Sequence, residues 1–215
     1  MSLSYQLFLI LLSFRGLESV ELEVEVSAVD SAGASEQPKH INQSRVETPY
    51  EVVNEKGNLV KTYRNWGHNF HIGFEIKIKP NISTNVSRWH NVLHFTTGRN
   101  FETRGSRIPG VWLYPPDRKG IAAYLYVEMQ LNDTFHPHWQ RMSYNDTKVE
   151  LHQKDGNFSL IVDDATEWSI TTGDQNYENV QFWLPDPWHL PAEDVADIKN
   201  VVVVNEPNCS IEPTS

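Results

Sequence analysis

The chain has 215 residues, 39% of them hydrophobic and 21% charged, with a formal net charge of -10. That length and composition suit one globular domain with a sizeable core. The acidic balance removes the electrostatic basis for holding nucleic acid or an anionic membrane, since both rely on clustered Lys and Arg.

At the N-terminus, Leu7 to Leu12 reads L-F-L-I-L-L, an apolar run of signal-peptide length that falls short of the roughly 20 residues a bilayer span needs. Residues 1–19 are expected to be a cleaved secretory signal, with cleavage after Ser19 or alternatively after Gly16. No later segment is apolar for long enough to span a membrane, so the expected localisation is extracellular. Residues 20–49 begin with V-E-L-E-V-E-V, which alternates Val20, Leu22, Val24 and Val26 with three glutamates in strand fashion, and continue as a small, polar linker. The folded domain is expected over residues 50–205, followed by a tail over 206–215.

Inside that domain, residues 50–63 read as a hairpin turning through Asn54-Glu55-Lys56-Gly57. Phe70, Ile72, Phe74, Ile76 and Ile78 alternate with polar or small residues, the pattern of a half-buried strand. Trp89 to Tyr114 holds two apolar, aromatic runs around a polar connection, predicting a central strand pair. In the first run, alternation places Asn91, Leu93 and Phe95 on one face and His90, Val92 and His94 on the other. Further strands are expected over 121–129, 147–153, 157–163, 178–184 and 197–204, with Asp155-Gly156 turning a hairpin. Many short strands without amphipathic helices predict an all-β, antiparallel two-sheet sandwich.

Asparagine supports secretion independently. N-x-S/T occurs at Asn42, Asn81, Asn85, Asn132, Asn145, Asn157 and Asn208, more than the about two or three that composition alone would give. These are expected to be surface glycosylation sites. The single cysteine, Cys209, lies within the last of these sequons. An unpaired cysteine in a secreted chain points to a disulfide-linked homodimer or to a free thiol.

The succession W66 through F70-H-I-G-F-E-I-K-I, W89-H-N-V-L-H-F-T-T-G, R107-I-P-G-V-W, G156-N-F-S-L-I-V-D-D, N179-V-Q-F-W-L-P-D-P-W188 and D197-I-K-N-V-V-V resembles the concanavalin A-like lectin/glucanase jelly roll. Within that superfamily it is most similar to laminin-G-like extracellular domains. The resemblance covers roughly residues 50–205. It implies two curved antiparallel sheets with sugar or protein ligands at the concave face or its rim.

The glucanase signature of that superfamily, E-x-D-x-x-E, is absent. Glycoside hydrolysis would then need carboxylates from different strands, such as Glu75 with Glu128, brought to about 5 Å. No metal ligand set is expected: His136 and His138 flank a proline, and His90 and His94 lack a carboxylate. The resemblance leaves calcium open at Asp163, Asp164, Asp174 and Asp186, although no D-x-D-x-D-G run occurs. The remaining candidate is aromatic. Trp112 and Tyr114 share one strand face and Tyr124 and Tyr126 another, and if the two faces coincide the rings form a patch able to stack on a sugar, with Arg104, Arg107 and Arg118 as nearby donors. The competing reading packs these rings between the sheets. Trp183 and Trp188 are expected to lock the closing loop.

The sequence therefore predicts a secreted, non-catalytic recognition module for a glycan or an extracellular protein, with Trp112, Tyr114, Tyr124, Tyr126 and Arg107 as its ligand-binding residues. A glycan hydrolase or lyase is the alternative. A matrix component linked through Cys209 is the second alternative.

Overall fold

The computed structural model describes residues 48–80, 89–98, 104–115 and 123–206, all within the compact unit Ser44–Ser215. The strands are β1 (Leu59–Trp66), β2 (Asn69–Ile78), β3 (His90–Thr96), β4 (Gly110–Tyr114), β5 (Ala123–Leu131), β6 (Thr134–Met142), β7 (Thr147–Lys154), β8 (Asn157–Val162), β9 (Ala165–Thr171), β10 (Tyr177–Trp183), β11 (Leu190–Pro191) and β12 (Ala196–Glu206). They form two antiparallel sheets, the expected jelly-roll sandwich. The first runs β1-β10-β3-β4-β5-β6, with β11 added in parallel to β3, and the second runs β12-β2-β7-β8-β9. Among the described residues no helix is long and apolar enough to cross a membrane.

The alternating pattern of β2 is realised as read: Phe70, Ile72, Phe74, Ile76 and Ile78 are all buried, while the intervening residues reach the surface. They meet the inner face of the first sheet, where Phe95 and Phe182 stack at 4.5 Å with 7° between ring planes. Trp66 packs on Phe95 at 4.6 Å and on Phe70 at 4.9 Å, tying both sheets together. Full burial of each such ring contributes about 1.5–3 kcal/mol.

Three expectations are corrected by the pairing. Residues 50–63 do not form a hairpin: Tyr50 bridges to Val201 of β12, and β1 pairs instead with β10, a long-range ladder that buries Tyr63 and Trp66. Gly57 still turns the chain, at a φ of 77°. Strands β6 and β9 were not foreseen, because both are sheet edges whose residues stay largely exposed or half-buried and so carry weak apolar periodicity. Pro137 inside β6 also argues against a strand from sequence, yet an edge tolerates it because one side of the ladder needs no partner.

The third correction matters most for function. The register between β3 and β4 slips by one residue between Asn91 and Leu93. Asn91 thus lies opposite Trp112 and His94 opposite Gly110, while His90 lies opposite Leu113 and Leu93 opposite Val111. Cross-strand partners share a face, so the bulge at Val92 moves Asn91 to the outward face with His94 and leaves His90 on the inner one. A strict two-residue alternation has no means of anticipating this.

After β11, a short 3-10 turn (Ala192–Asp194) places the Glu193 carboxylate oxygens in a buried position where, among the described residues, neither has a hydrogen-bond partner. The Lys79 ammonium donates to the Glu193 backbone carbonyl and not to its carboxylate. Burial, with Asp194 adding to it, pushes the Glu193 carboxyl up from 4.5 to about 7. The folded state therefore keeps a proton that the unfolded chain releases above about pH 4.5. Its contribution to stability is full below that pH and is lost as pH rises through about 7. Glu193→Gln should make the protein more stable at pH 8 by about 1–2 kcal/mol while changing little at pH 4, as read by denaturant unfolding at the two pH values.

Candidate functional site

The outward face of the first sheet carries an aromatic floor. Trp112 lies opposite Tyr126 and Tyr114 opposite Tyr124 across β4 and β5, and Tyr126 in turn lies opposite Trp139 on β6. The faces of β4 and β5 thus coincide and point away from the sheet interface, so the rings do not fill the space between the sheets. Trp89, just before β3, sits among them, with ring centroids 5.4 Å from Tyr114, 4.9 Å from Tyr126 and 5.1 Å from Trp139. Gly110 is required beneath this floor: a Cβ there would lie 2.1 Å from the Trp112 ring.

Beside the floor, the loop Pro185–His189 folds over the outward face of β3. Asp186 is fully buried and organises it. Its Oδ1 accepts the backbone N–H of Trp188 at 3.0 Å and of His189 at 2.9 Å, and its own N–H donates to Asn91 Oδ1 at 2.8 Å. Its Oδ2 accepts from His94 Nδ1 at 2.9 Å and from His189 Nδ1 at 2.8 Å. Burial raises the Asp186 pKa, but hydrogen bonds from His189 and His94 outweigh it and hold the carboxyl well below the usual range.

The other nitrogen of His94 donates to the Ser106 carbonyl at 2.6 Å. Both nitrogens of the fully buried His94 therefore face oxygen atoms, one of them on the Asp186 carboxylate. With Nδ1 of His189 also given to Asp186, the nitrogen left to His189 for chemistry is Nε2.

A cavity of about 170 Å³ opens above these groups, lined by Trp89, Arg107, Trp112, Tyr126 and His189. The Trp112 ring is 5.9 Å from Tyr126 and 5.5 Å from His189. The Arg107 guanidinium lies over Trp112 at 4.9 Å and pairs through Nη1 with Glu128. Among the described residues, two buried donors at this place have no hydrogen-bond partner: Arg107 Nε and Trp112 Nε1. Burial lowers the Arg107 pKa and raises that of Tyr126, so at neutral pH the phenol keeps its proton.

Of the residues expected from sequence, Trp112, Tyr126 and Arg107 line the cavity, Trp112 is nearly buried, and Tyr114 and Tyr124 extend the floor half-exposed. Arg104 is instead at Tyr177, 5.9 Å from its ring centroid, and Arg118 lies outside the described residues. Trp183 and Trp188 do meet, at 6.2 Å. The pairing of Glu75 with Glu128 is corrected: Glu75 belongs to β2 in the second sheet, bonded by Asn200, while Glu128 belongs to β5 in the first. His90 and His94 are on opposite faces, and His138 stacks on Trp168 at 5.3 Å. Asp163 and Asp164 are engaged by Lys148 at one end of the second sheet, apart from Asp186. Asn132, Asn145 and Asn157 are exposed, whereas Asn42, Asn81, Asn85, Asn208 and Cys209 lie outside the described residues.

Sequence reasoning missed Trp89, His94, Glu128 and Asp186 as members of one site, and His189 altogether. The run D186-P-W-H189 held a usable signal, because an aspartate can accept the backbone N–H groups two and three residues on and so fix a nearby imidazole.

No protein-family model matches the sequence, and no curated protein matches it. Among solved structures the chain is similar to an alginate lyase from Alteromonas sp. 272, at 11% identity and a TM-score of 0.43 over 73% of this chain and 83% of that one. It is also similar to a Bacillus licheniformis β-glucanase, at 11% identity and a TM-score of 0.37 over 68% and 69% of the two chains. A third is the binding domain of botulinum neurotoxin serotype D, at 12% identity and a TM-score of 0.43, over 73% of this chain and 36% of that one. Likeness at this level concerns the sandwich fold.

The expectation of a non-catalytic recognition module is corrected. Several of the similar structures are alginate lyases and one is a β-glucanase. Beside its aromatic wall of Trp89, Trp112 and Tyr126, the cleft places the His189 imidazole and the Arg107 guanidinium.

Proposed function

We propose that the chain is a secreted glycan-cleaving enzyme that breaks an acidic, uronate-containing polysaccharide by β-elimination. The observation that carries this reading is the cavity in which His189, Tyr126 and Arg107 converge, while the two carboxylates beside it are already committed, Glu128 to Arg107 and Asp186 to two histidines. A hydrolase needs two carboxyl groups free to act as acid and as base or nucleophile. An elimination needs something different: donors that neutralise the substrate carboxylate, a base for the proton on the adjacent carbon, and an acid for the departing oxygen.

The cleft supplies each. The Arg107 guanidinium in the cavity wall is the donor for the substrate carboxylate. His189 Nε2, its ring fixed through Nδ1 by Asp186, takes the proton from the carbon next to that carboxylate. The released electron pair becomes the new carbon–carbon double bond as the glycosidic carbon–oxygen bond breaks, and the Tyr126 hydroxyl protonates the leaving oxygen. The proton on His189 then returns to the Tyr126 phenolate through solvent. Trp89, Trp139 and Tyr114 offer stacking surfaces for flanking sugars. The signal-like N-terminus and the sequons support an extracellular place of action, and the laminin-G-like likeness rests on the sequence motifs alone.

The test is incubation of the purified protein with a panel of polyuronates and neutral glucans, following both the ultraviolet absorbance of unsaturated uronate ends and the release of reducing ends. Both signals are expected to rise together on a polyuronate and neither on a glucan. Reducing ends without ultraviolet absorbance would show hydrolysis, and silence across the panel would overturn the reading.

A further inference from the structure

The outward face of the second sheet, on the other side of the sandwich from the cleft, carries a separate cluster. His71 on β2 lies directly opposite His152 on β7, and Glu150 lies two residues before His152 on the same strand, opposite Gly73. Strand alternation puts all three side chains on the outward face, as the half-buried state of each confirms. The imidazole rings are 4.4 Å apart and inclined at 54°. A Cβ at Gly73 would meet the edge of the His71 ring at 3.5 Å, an ordinary van der Waals contact.

Both imidazoles turn Nε2 toward one carboxylate. His71 Nε2 is 3.2 Å from Glu150 Oε1 and His152 Nε2 is 4.0 Å from it. The ligand atoms of the three residues all lie within 4.8 Å of one another. Among the described residues neither nitrogen has a well-aligned hydrogen bond, and each faces only the Glu150 carboxylate, so a cation between them would engage all three groups at once.

We infer that His71, His152 and Glu150 form a binding site for one divalent transition-metal ion of the zinc class. Two imidazole nitrogens and one carboxylate oxygen are the borderline donor set such ions prefer over calcium or magnesium, which take oxygen ligands. Ligands about 2.0–2.2 Å from a tetrahedral ion stand a little over 3 Å apart. The His71–Glu150 separation already meets that, and a rotamer adjustment of His152 by about 1 Å would complete it. The fourth position faces outward to water. Lys148, whose ammonium is 3.2 Å from Glu150 Oε2, holds the second carboxylate oxygen and so fixes which oxygen is offered. Bound there, the ion would cross-link β2 and β7, the two strands at the heart of the second sheet.

The inference stands independently of the cleft. Zinc titration of the chelator-treated, purified protein by calorimetry should give one saturable site per chain, and zinc should raise the thermal midpoint. Cobalt in its place should develop the visible absorption bands of a four- or five-coordinate nitrogen and oxygen site. In His71→Ala and in His152→Ala, both partly exposed positions outside the core, affinity should fall by about 100-fold or more and the cobalt bands should vanish, with thermal midpoints in chelator staying near that of the unsubstituted protein. Polysaccharide cleavage in these variants should persist, which separates the failure of this site from failure at the cleft. Absence of saturable zinc binding in the unsubstituted protein, or equal binding in the His71→Ala/His152→Ala double variant, would overturn it.

Discussion

His189→Ala should lower kcat/KM on the proposed polyuronate substrate by about 10²–10⁴-fold, the usual contribution of a positioned general base, and should lower the unfolding midpoint by less than Asp186→Ala does, since it removes one of the hydrogen bonds to the Asp186 carboxylate. The reason is positional. Its ring is half-buried, at the rim of the cavity, and its Nδ1 is spent on Asp186, so that Nε2 is the acting atom. Tyr126→Phe removes one oxygen from the same cavity and should cost a similar factor, because burial raises the Tyr126 pKa and keeps the phenol a proton donor at neutral pH. The two effects belong to one proton relay, so the double variant should be little worse than either single one. Full activity in His189→Ala would remove the imidazole from the mechanism and with it the elimination chemistry as assigned.

Asp186→Ala should destabilise the fold by about 3–5 kcal/mol, the scale for stripping the partner from a buried charge. The fully buried His94 would lose the partner of its Nδ1 and keep only the Ser106 carbonyl, and the backbone N–H groups of Trp188 and His189 would lose their acceptor. Asp186→Asn keeps the shape but not the charge, and should fall between the two. Denaturant unfolding at neutral pH measures both. In the unsubstituted protein the Asp186 carboxyl is depressed below 3.8, so its stabilising contribution is complete above that pH and disappears as pH falls through the lower folded-state value. Asp186→Asn should accordingly flatten the acid limb of the stability profile. A loss under about 1 kcal/mol for Asp186→Ala would mean that Asp186 does not hold this loop and His94 together through its buried hydrogen bonds.

These two variants act through residues with very different visibility in the sequence. Phe70 to Ile78 declared their strand, because a half-buried strand writes its two faces as an alternating string. Phe158, Leu160 and Val162 did the same, with Asp155-Gly156 marking the turn before them. Trp112 with Tyr114 and Tyr124 with Tyr126 were legible as two faces, since each pair lies within one strand. That these faces coincide depends on the β4–β5 register, which pairs Trp112 with Tyr126 and Tyr114 with Tyr124.

Local residue order by itself determined the fold class, the extended elements with a buried face, and the aromatic content of one sheet surface, because each is encoded in neighbours two to four positions apart. Tertiary structure alone decided the chemistry. The slip at Val92 brings Asn91 and His94 to the same face, Asp186 reaches across 92 positions to His94, and β7 lays His152 against His71 from 81 positions away. Edge strands β6 and β9 also emerged only there, since they bury too little to leave a periodic trace. Contacts over such separations follow from which strands pair and in what register, and those are settled by the packing of the whole core.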